Sequence, residues 1–146
     1  MSEIYPLQIF NTTSLELPCS ELDCRKLFEL IGKHEQASFN VVEVAYVDEA
    51  EIVRINEEFL QRDYVTDIIS FRYDENESPK DIEGTLYCCL PRIIDQAKEF
   101  NQSSAKECLR ILAHGLLHLI GYDDQTSSEK EEMTRLEDLY LSMVIE

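Results

Sequence analysis

The order of elements along the chain predicts an α+β domain: one four-stranded mixed sheet with about five helices packed on it. Three observations carry this. Phe39 to Val47 alternates and is rich in β-branched residues, as a half-buried strand is. Ile111-Leu112-Ala113, Leu116-Leu117 and Leu119-Ile120 make one helix apolar nearly all round, so it belongs in the core. The whole chain reads strand, helix, strand, helix, strand, strand, then three helices. At 146 residues and 44% apolar content, residues 1–146 make a single domain.

In chain order, Ile4 to Phe10 is a strand. Ser20 caps a helix over 21–34, with Leu22, Leu27, Leu30 and Ile31 as its apolar stripe. The strand Phe39 to Val47 shifts phase, from Phe39 and Val41 to Val42, Val44 and Tyr46. Asp48 with Glu51 forms a capping box for a helix over 49–59, packed through Ile52, Ile55 and Phe59. Ile68 to Tyr73 is a short strand, and the polar stretch Asp74 to Asp81 is a loop. Ile82 to Leu90 is another strand, in which Gly84 marks a bulge or an edge. Pro91 suits the first turn of a helix running to Phe100. Ser103 or Ser104 caps the next helix, which ends near Gly121. Thr126 with Glu129 is a second capping box, for a helix with Met133, Leu136, Leu139 and Tyr140 inward.

Composition excludes several functions. No apolar run approaches the roughly 20 residues of a membrane helix, and Met1-Ser2-Glu3 opens no secretory signal. The five cysteines are odd in number and lack zinc-ribbon spacing, so they read as reduced thiols of a cytoplasmic protein. Adjacent Cys88 and Cys89 should face opposite sides of their strand. A net charge of −17 argues against a general nucleic-acid coat and against DNA. Residues 92–120 are the exception. Arg92, Lys98, Lys106 and Arg110 there outnumber the acids, and Arg62 and Arg72 precede them. One local basic cleft can still take RNA.

The chemistry concentrates in His114-Gly115-Leu116-Leu117-His118-Leu119-Ile120-Gly121-Tyr122-Asp123-Asp124. Two histidines four apart leave the same face of a helix, one turn apart. Gly121 ends the helix, and its turn brings a carboxylate back over the imidazoles. His114, His118 and Asp124 therefore have the spacing of a three-ligand metal site on a buried helix and the turn after it. Two imidazoles in an apolar helix are costly to desolvate without such a partner. The donor set suits zinc, and also iron, manganese, cobalt or nickel. Three protein ligands leave a position for water, the mark of a catalytic site. Gly115 in mid-helix implies a close approach by backbone or ligand. Asp123 either orients a ligand or caps the turn, Tyr122 is core or a stacking surface, and His34 is solvated.

Taken with Ile55-Asn56-Glu57-Glu58-Phe59, Thr66-Asp67-Ile68-Ile69-Ser70-Phe71, Gly84, Gln96-Ala97, Met133 and Glu137, the histidine string resembles the YbeY family of bacterial endoribonucleases and rRNA maturation factors. The resemblance covers about residues 40 to 140. It implies a cytoplasmic, metal-dependent, single-strand-specific endoribonuclease acting in maturation of the 3′ end of small-subunit rRNA and in ribosome biogenesis. Its partners would be rRNA or other single-stranded RNA and small-subunit proteins. Its metal would be one zinc ion. The family's third ligand is usually His; here it is Asp124. The family Arg after the Tyr or Phe of its Asn-x-x-Tyr/Phe segment is Leu60 here, and Arg62 is the nearest cation that can serve in catalysis. With Arg72 or Arg92 it could hold a phosphate. The Asp usual after the strand glycine is Thr85.

Two rivals stand beside this reading. A metzincin-like metallopeptidase shares the ligand spacing, but it needs Glu directly after the first His, where this chain has Gly115. A non-catalytic ribosome assembly factor with a structural metal site accommodates Leu60, Thr85 and Asp124 without loss.

Overall fold

Strands and helices follow the expected order in the computed structural model, which describes residues 6–74 and 78–145. They are β1 (Leu7–Asn11), α1 (Glu21–His34), β2 (Phe39–Val47), α2 (Glu49–Leu60), β3 (Ile68–Arg72), β4 (Ile82–Cys89), α3 (Leu90–Glu99), α4 (Ser104–Ile120) and α5 (Ser127–Val144). The sheet order is β1-β2-β4-β3. β2 pairs in parallel with β1 and β4, and β3 pairs antiparallel with β4, so the sheet is mixed. Ile4 and Tyr5 of the expected first strand lie outside the described residues. Among the described residues, no helix is long and apolar enough to cross a membrane.

The sheet separates two apolar clusters. On one face Val42, Val44, Tyr46, Ile82, Leu86 and Cys88 meet α1, α3, α4 and α5. On the other, Val47, Ile69 and Cys89 meet Ile52 and Ile55 of α2. Cys88 and Cys89 thus face opposite sides, as pleating requires, and all five thiols are free. α4 is apolar on most of its surface because it packs on α1, α3, α5 and β3. The phase shift read in β2 corresponds to a register irregularity between Phe39 and Val41.

The caps hold in most cases. Ser20, Asp48, Ser103 and Thr126 each accept a hydrogen bond from the third residue beyond. Thr126 and Glu129 complete a reciprocal capping box. At Asp48 the box is half made, because the Glu51 carboxylate turns to Arg54 instead.

Several expectations need correction. Leu22, Phe59 and Leu139 are exposed, not inward. Each stands where its helix's apolar stripe runs out to solvent. Phe59 still packs edge-on against Phe71, centroids 5.5 Å apart. Leu90 opens α3 rather than ending β4, and β3 stops at Arg72. Gly84 marks neither bulge nor edge: β4 is an interior strand with regular pairing there. A Cβ on Gly84 would lie 2.7 Å from the Phe71 carbonyl oxygen and 2.9 Å from Leu119 Cδ2. The glycine lets α4 press on the sheet. Gly84→Ala should destabilise the protein by about 1–3 kcal/mol, because the obstructing oxygen belongs to backbone. Thermal denaturation should show a fall of several degrees.

Candidate metal centre

The residues of α4 at 107, 110, 114 and 118 form one stripe, spaced by three, four and four. It is the side of the helix left open between α3 and α5. The two histidines, partly exposed, stand at its C-terminal end. The helix ends where Gly121 takes φ +129°, a region costly for residues bearing a Cβ. Gly121 N–H donates to the Leu117 and His118 carbonyls, and Tyr122 N–H to the Leu117 carbonyl at 3.0 Å. The Tyr122 hydroxyl donates to Glu35 Oε1 at 2.6 Å. The Asp123 carboxylate accepts from the Asp124 amide at 2.9 Å. These bonds give Tyr122 and Asp123 structural roles: they shape the turn that returns Asp124 over the helix.

Asp124 Oδ2 lies 3.4 Å from His114 Nε2, and Asp124 Oδ1 lies 3.5 Å from His118 Nε2. The two Nε2 atoms are 3.1 Å apart. Ligands about 2.0–2.2 Å from a tetrahedral metal stand about 3.3–3.6 Å from one another. The imidazole nitrogens each face a different Asp124 oxygen at close to such a spacing, one donor atom from each residue lies within 4.8 Å of the others, and His114, His118 and Asp124 can hold a metal ion.

Glu137 of α5 supports this arrangement. Its Oε2 is 2.7 Å from His114 Nδ1, and its Oε1 accepts from Arg110 at 3.2 Å. A carboxylate that accepts from Nδ1–H leaves the Nε2 lone pair free to ligate. Burial pushes the His114 imidazole towards neutrality, but Glu137 and Asp124 outweigh it and the net shift is upward. Glu137→Gln should weaken metal binding by roughly ten- to a hundredfold, the usual cost of losing such a partner. Titration with a chromophoric competitor would measure it.

A cavity of about 340 Å³ opens beside His114 and Asp124, lined also by Glu137, Arg110, Asp67, Gln96, Glu107 and Phe100. Gln96 Nε2 donates to Asp67 at 3.2 Å and to Glu107 at 3.3 Å. Burial raises the Glu107 carboxyl above its ordinary range, against the pull of Arg110 and Gln96.

The structure thus unites His114, His118 and Asp124, but it does not bring Arg62 to them. Arg62 is exposed on the stretch between α2 and β3, and it is not among the residues lining the cavity. That stretch is pinned where Asn56 Nδ2 donates to the Tyr64 carbonyl at 2.9 Å. Arg72 is committed elsewhere: its guanidinium holds Asp74 and the Leu119 carbonyl. Arg92 pairs with Glu99. The cations lining the cavity are Lys130 and Arg110, the latter held by Glu137 and Asp138. Gly115 faces away from the donors, and a Cβ there would lie 2.6 Å from Ile68 Cδ1. Its close neighbour is the sheet, not a ligand. Asp67, Gln96 and Glu107 had no role from sequence, although Glu107 stands seven residues before His114, on the same face.

Fold and site together define an α+β domain with a two-histidine, one-carboxylate cluster that can hold a metal ion, beside a cavity. A family model described as endoribonuclease YbeY matches residues 10–144. An endoribonuclease YbeY of Chlorobium limicola is 42% identical over 137 residues, 94% of this chain and 92% of that protein. One of Chlorobaculum parvum is 38% identical over 139 residues, 95% of each chain. A protein of Thermotoga maritima, solved in solution, superposes with a TM-score of 0.67 at 30% identity, over 94% of this chain and 88% of that one. The chain belongs to the YbeY endoribonuclease family.

Proposed function

We propose that this protein is a metal-dependent endoribonuclease that cuts single-stranded RNA. We further propose that it acts in the cytoplasm on the 3′ end of small-subunit rRNA, in contact with small-subunit proteins. The observation that carries the reading is the His114–His118–Asp124 triad at the mouth of a cavity, in a chain of a family named for RNA cleavage. The donor set fits zinc. When bound there, such an ion would supply Lewis acidity toward a phosphate oxygen and an acidified water.

The chain's own residues divide the remaining work. Glu137 keeps a proton on His114 Nδ1 and so orients the imidazole. Arg110, paired with Glu137 and Asp138, holds Glu137 in place, and Lys130 supplies positive charge at the cavity for a phosphate that an acidic surface would otherwise repel. Arg62, on its exposed stretch, would meet the RNA backbone outside the cavity, where Leu60 cannot. Gly115 leaves no carboxylate beside the first histidine to serve a peptidase. The acidic exterior, at −17, suits docking against basic proteins.

The test pairs zinc-loaded and chelated protein on a single-stranded RNA, its duplex form and casein. Cleavage of the single strand alone, by loaded protein alone, is expected. Casein hydrolysis or indifference to chelation would overturn the reading. Mapping rRNA 3′ ends in cells lacking the protein should show unprocessed precursors.

A further inference from the structure

The last turn of α4 is docked on the sheet at one register pair. Arg72 of β3 lies opposite Gly84 of β4. Leu119 is held at that pair twice. Its side chain reaches the space that a Cβ on Gly84 would fill. Its carbonyl accepts from Arg72 Nη1 at 3.1 Å. The last four carbonyls of a helix have no partner within it. Here the Gly121 and Tyr122 amides serve the Leu117 and His118 carbonyls, and no backbone amide reaches the Leu119 carbonyl among the described residues. Arg72 therefore completes the end of the helix from outside it, where a cation also suits the helix dipole.

Arg72 is itself aimed. Its Nε and Nη2 form a fork on the two oxygens of Asp74, each at 2.8 Å, and Nη2 also donates to the Ser78 carbonyl at 2.5 Å. Asp74 in turn accepts from the Glu83 amide of β4 at 3.2 Å. Both side chains of the pair are mostly buried. Such a fork fixes the plane of the guanidinium, and with it the direction of Nη1. Leu119 directly follows His118 and stands five residues before Asp124. Resting on the metal-dependent reading above, we propose that Arg72 is a positioning residue for the metal centre: by clamping the Leu119 carbonyl it sets where His118 and the turn to Asp124 stand against His114. Arg72 reaches the centre only through the backbone. A cation near a dication is unfavourable by Coulomb's law. What Arg72 contributes to metal binding is therefore geometric, and the sign of the effect separates the two.

The experiment compares the wild type with Arg72→Met and Arg72→Lys. Zinc affinity is measured with a chromophoric competitor, and backbone order by amide NMR relaxation of the metal-free protein. Arg72→Met should bind zinc roughly tenfold more weakly, the lower end of what loss of a supporting partner costs. Loss of a positive charge alone would tighten the ion instead. Order parameters from Leu119 to Asp124 should fall from the rigid range, about 0.85, towards about 0.6, while those of α1 stay unchanged. A purely structural role would lower the melting temperature and move neither reading. Arg72→Lys keeps the charge but cannot fork on Asp74 and reach Leu119 together. It should show both effects in smaller measure, and it serves if Arg72→Met fails to fold. Unchanged zinc affinity, or unchanged order in the turn, overturns the positioning role and leaves the metal reading standing. Wild-type protein that takes up no zinc overturns the metal reading and the positioning role with it.

Discussion

Replacing His114 by Ala is expected to leave the purified protein without metal and its RNA cleavage at background. His114 is the hinge of the site. Its Nε2 faces both His118 and Asp124, and its Nδ1 is bonded to Glu137. The substitution removes one of three ligands and also frees Glu137. The loss should exceed the ten- to hundredfold typical of a partner one step removed from the metal. The side chain is partly exposed and belongs to neither apolar cluster, so the fold should survive. Metal content per chain, circular dichroism and cleavage rate are the three measurements. Full cleavage by folded, metal-free His114→Ala would remove the metal from the chemistry.

The second large effect concerns Asp124. Asp124→Ala should lose metal almost as completely, since the remaining two histidines cannot hold the ion alone with comparable affinity. Asp124→His tests the site more finely. It replaces a charged oxygen donor by a neutral nitrogen and should retain the metal. The carboxylate offsets one unit of the ion's charge, so its removal should make the bound water more acidic, towards the value near 7 of an all-imidazole zinc site. The pH profile of cleavage by Asp124→His should therefore rise at lower pH than that of the wild type. An unchanged profile would show that this water does not govern the rate.

Local signals in the sequence foretold that His114, His118 and Asp124 come together, because helix spacing alone aligns the two histidines and Gly121 returns the chain to them. They also identified the caps at Ser20, Asp48 and Thr126, where one side chain decides one helix end. The same reasoning failed wherever the answer lay in a partner distant along the chain. Gly84 looked like a flaw in an edge strand, because nothing local tells that Leu119 presses on it. Phe59, Leu22 and Leu139 continue apolar periodicities past the point where another element covers them. Arg72 looked free for phosphate, but Asp74 and the Leu119 carbonyl claim it. Glu107 and Gln96 come from α4 and α3 and Asp67 from the loop before β3, and only tertiary packing turns them into one wall. The resemblance to a known family supplied the nuclease reading, which no spacing of two histidines and a carboxylate could.

Glu35, at the end of α1, accepts from the hydroxyls of both Tyr122 and Tyr140. The turn that carries Asp124 is thus moored to a helix almost ninety residues earlier. Neutral phenols are needed for that mooring. Tyr122 is pushed up to about 12, first by its bond to Glu35 and then by burial, and Tyr140 shifts upward too. An unfolded tyrosine releases its proton near pH 10. The stability these phenols confer is therefore complete below about pH 10 and is lost as pH rises towards 12. Alkali should loosen the grip on Asp124 through residues that never touch the metal. Damage to the centre can likewise begin at the far end of the molecule, in a helix that carries none of its chemistry.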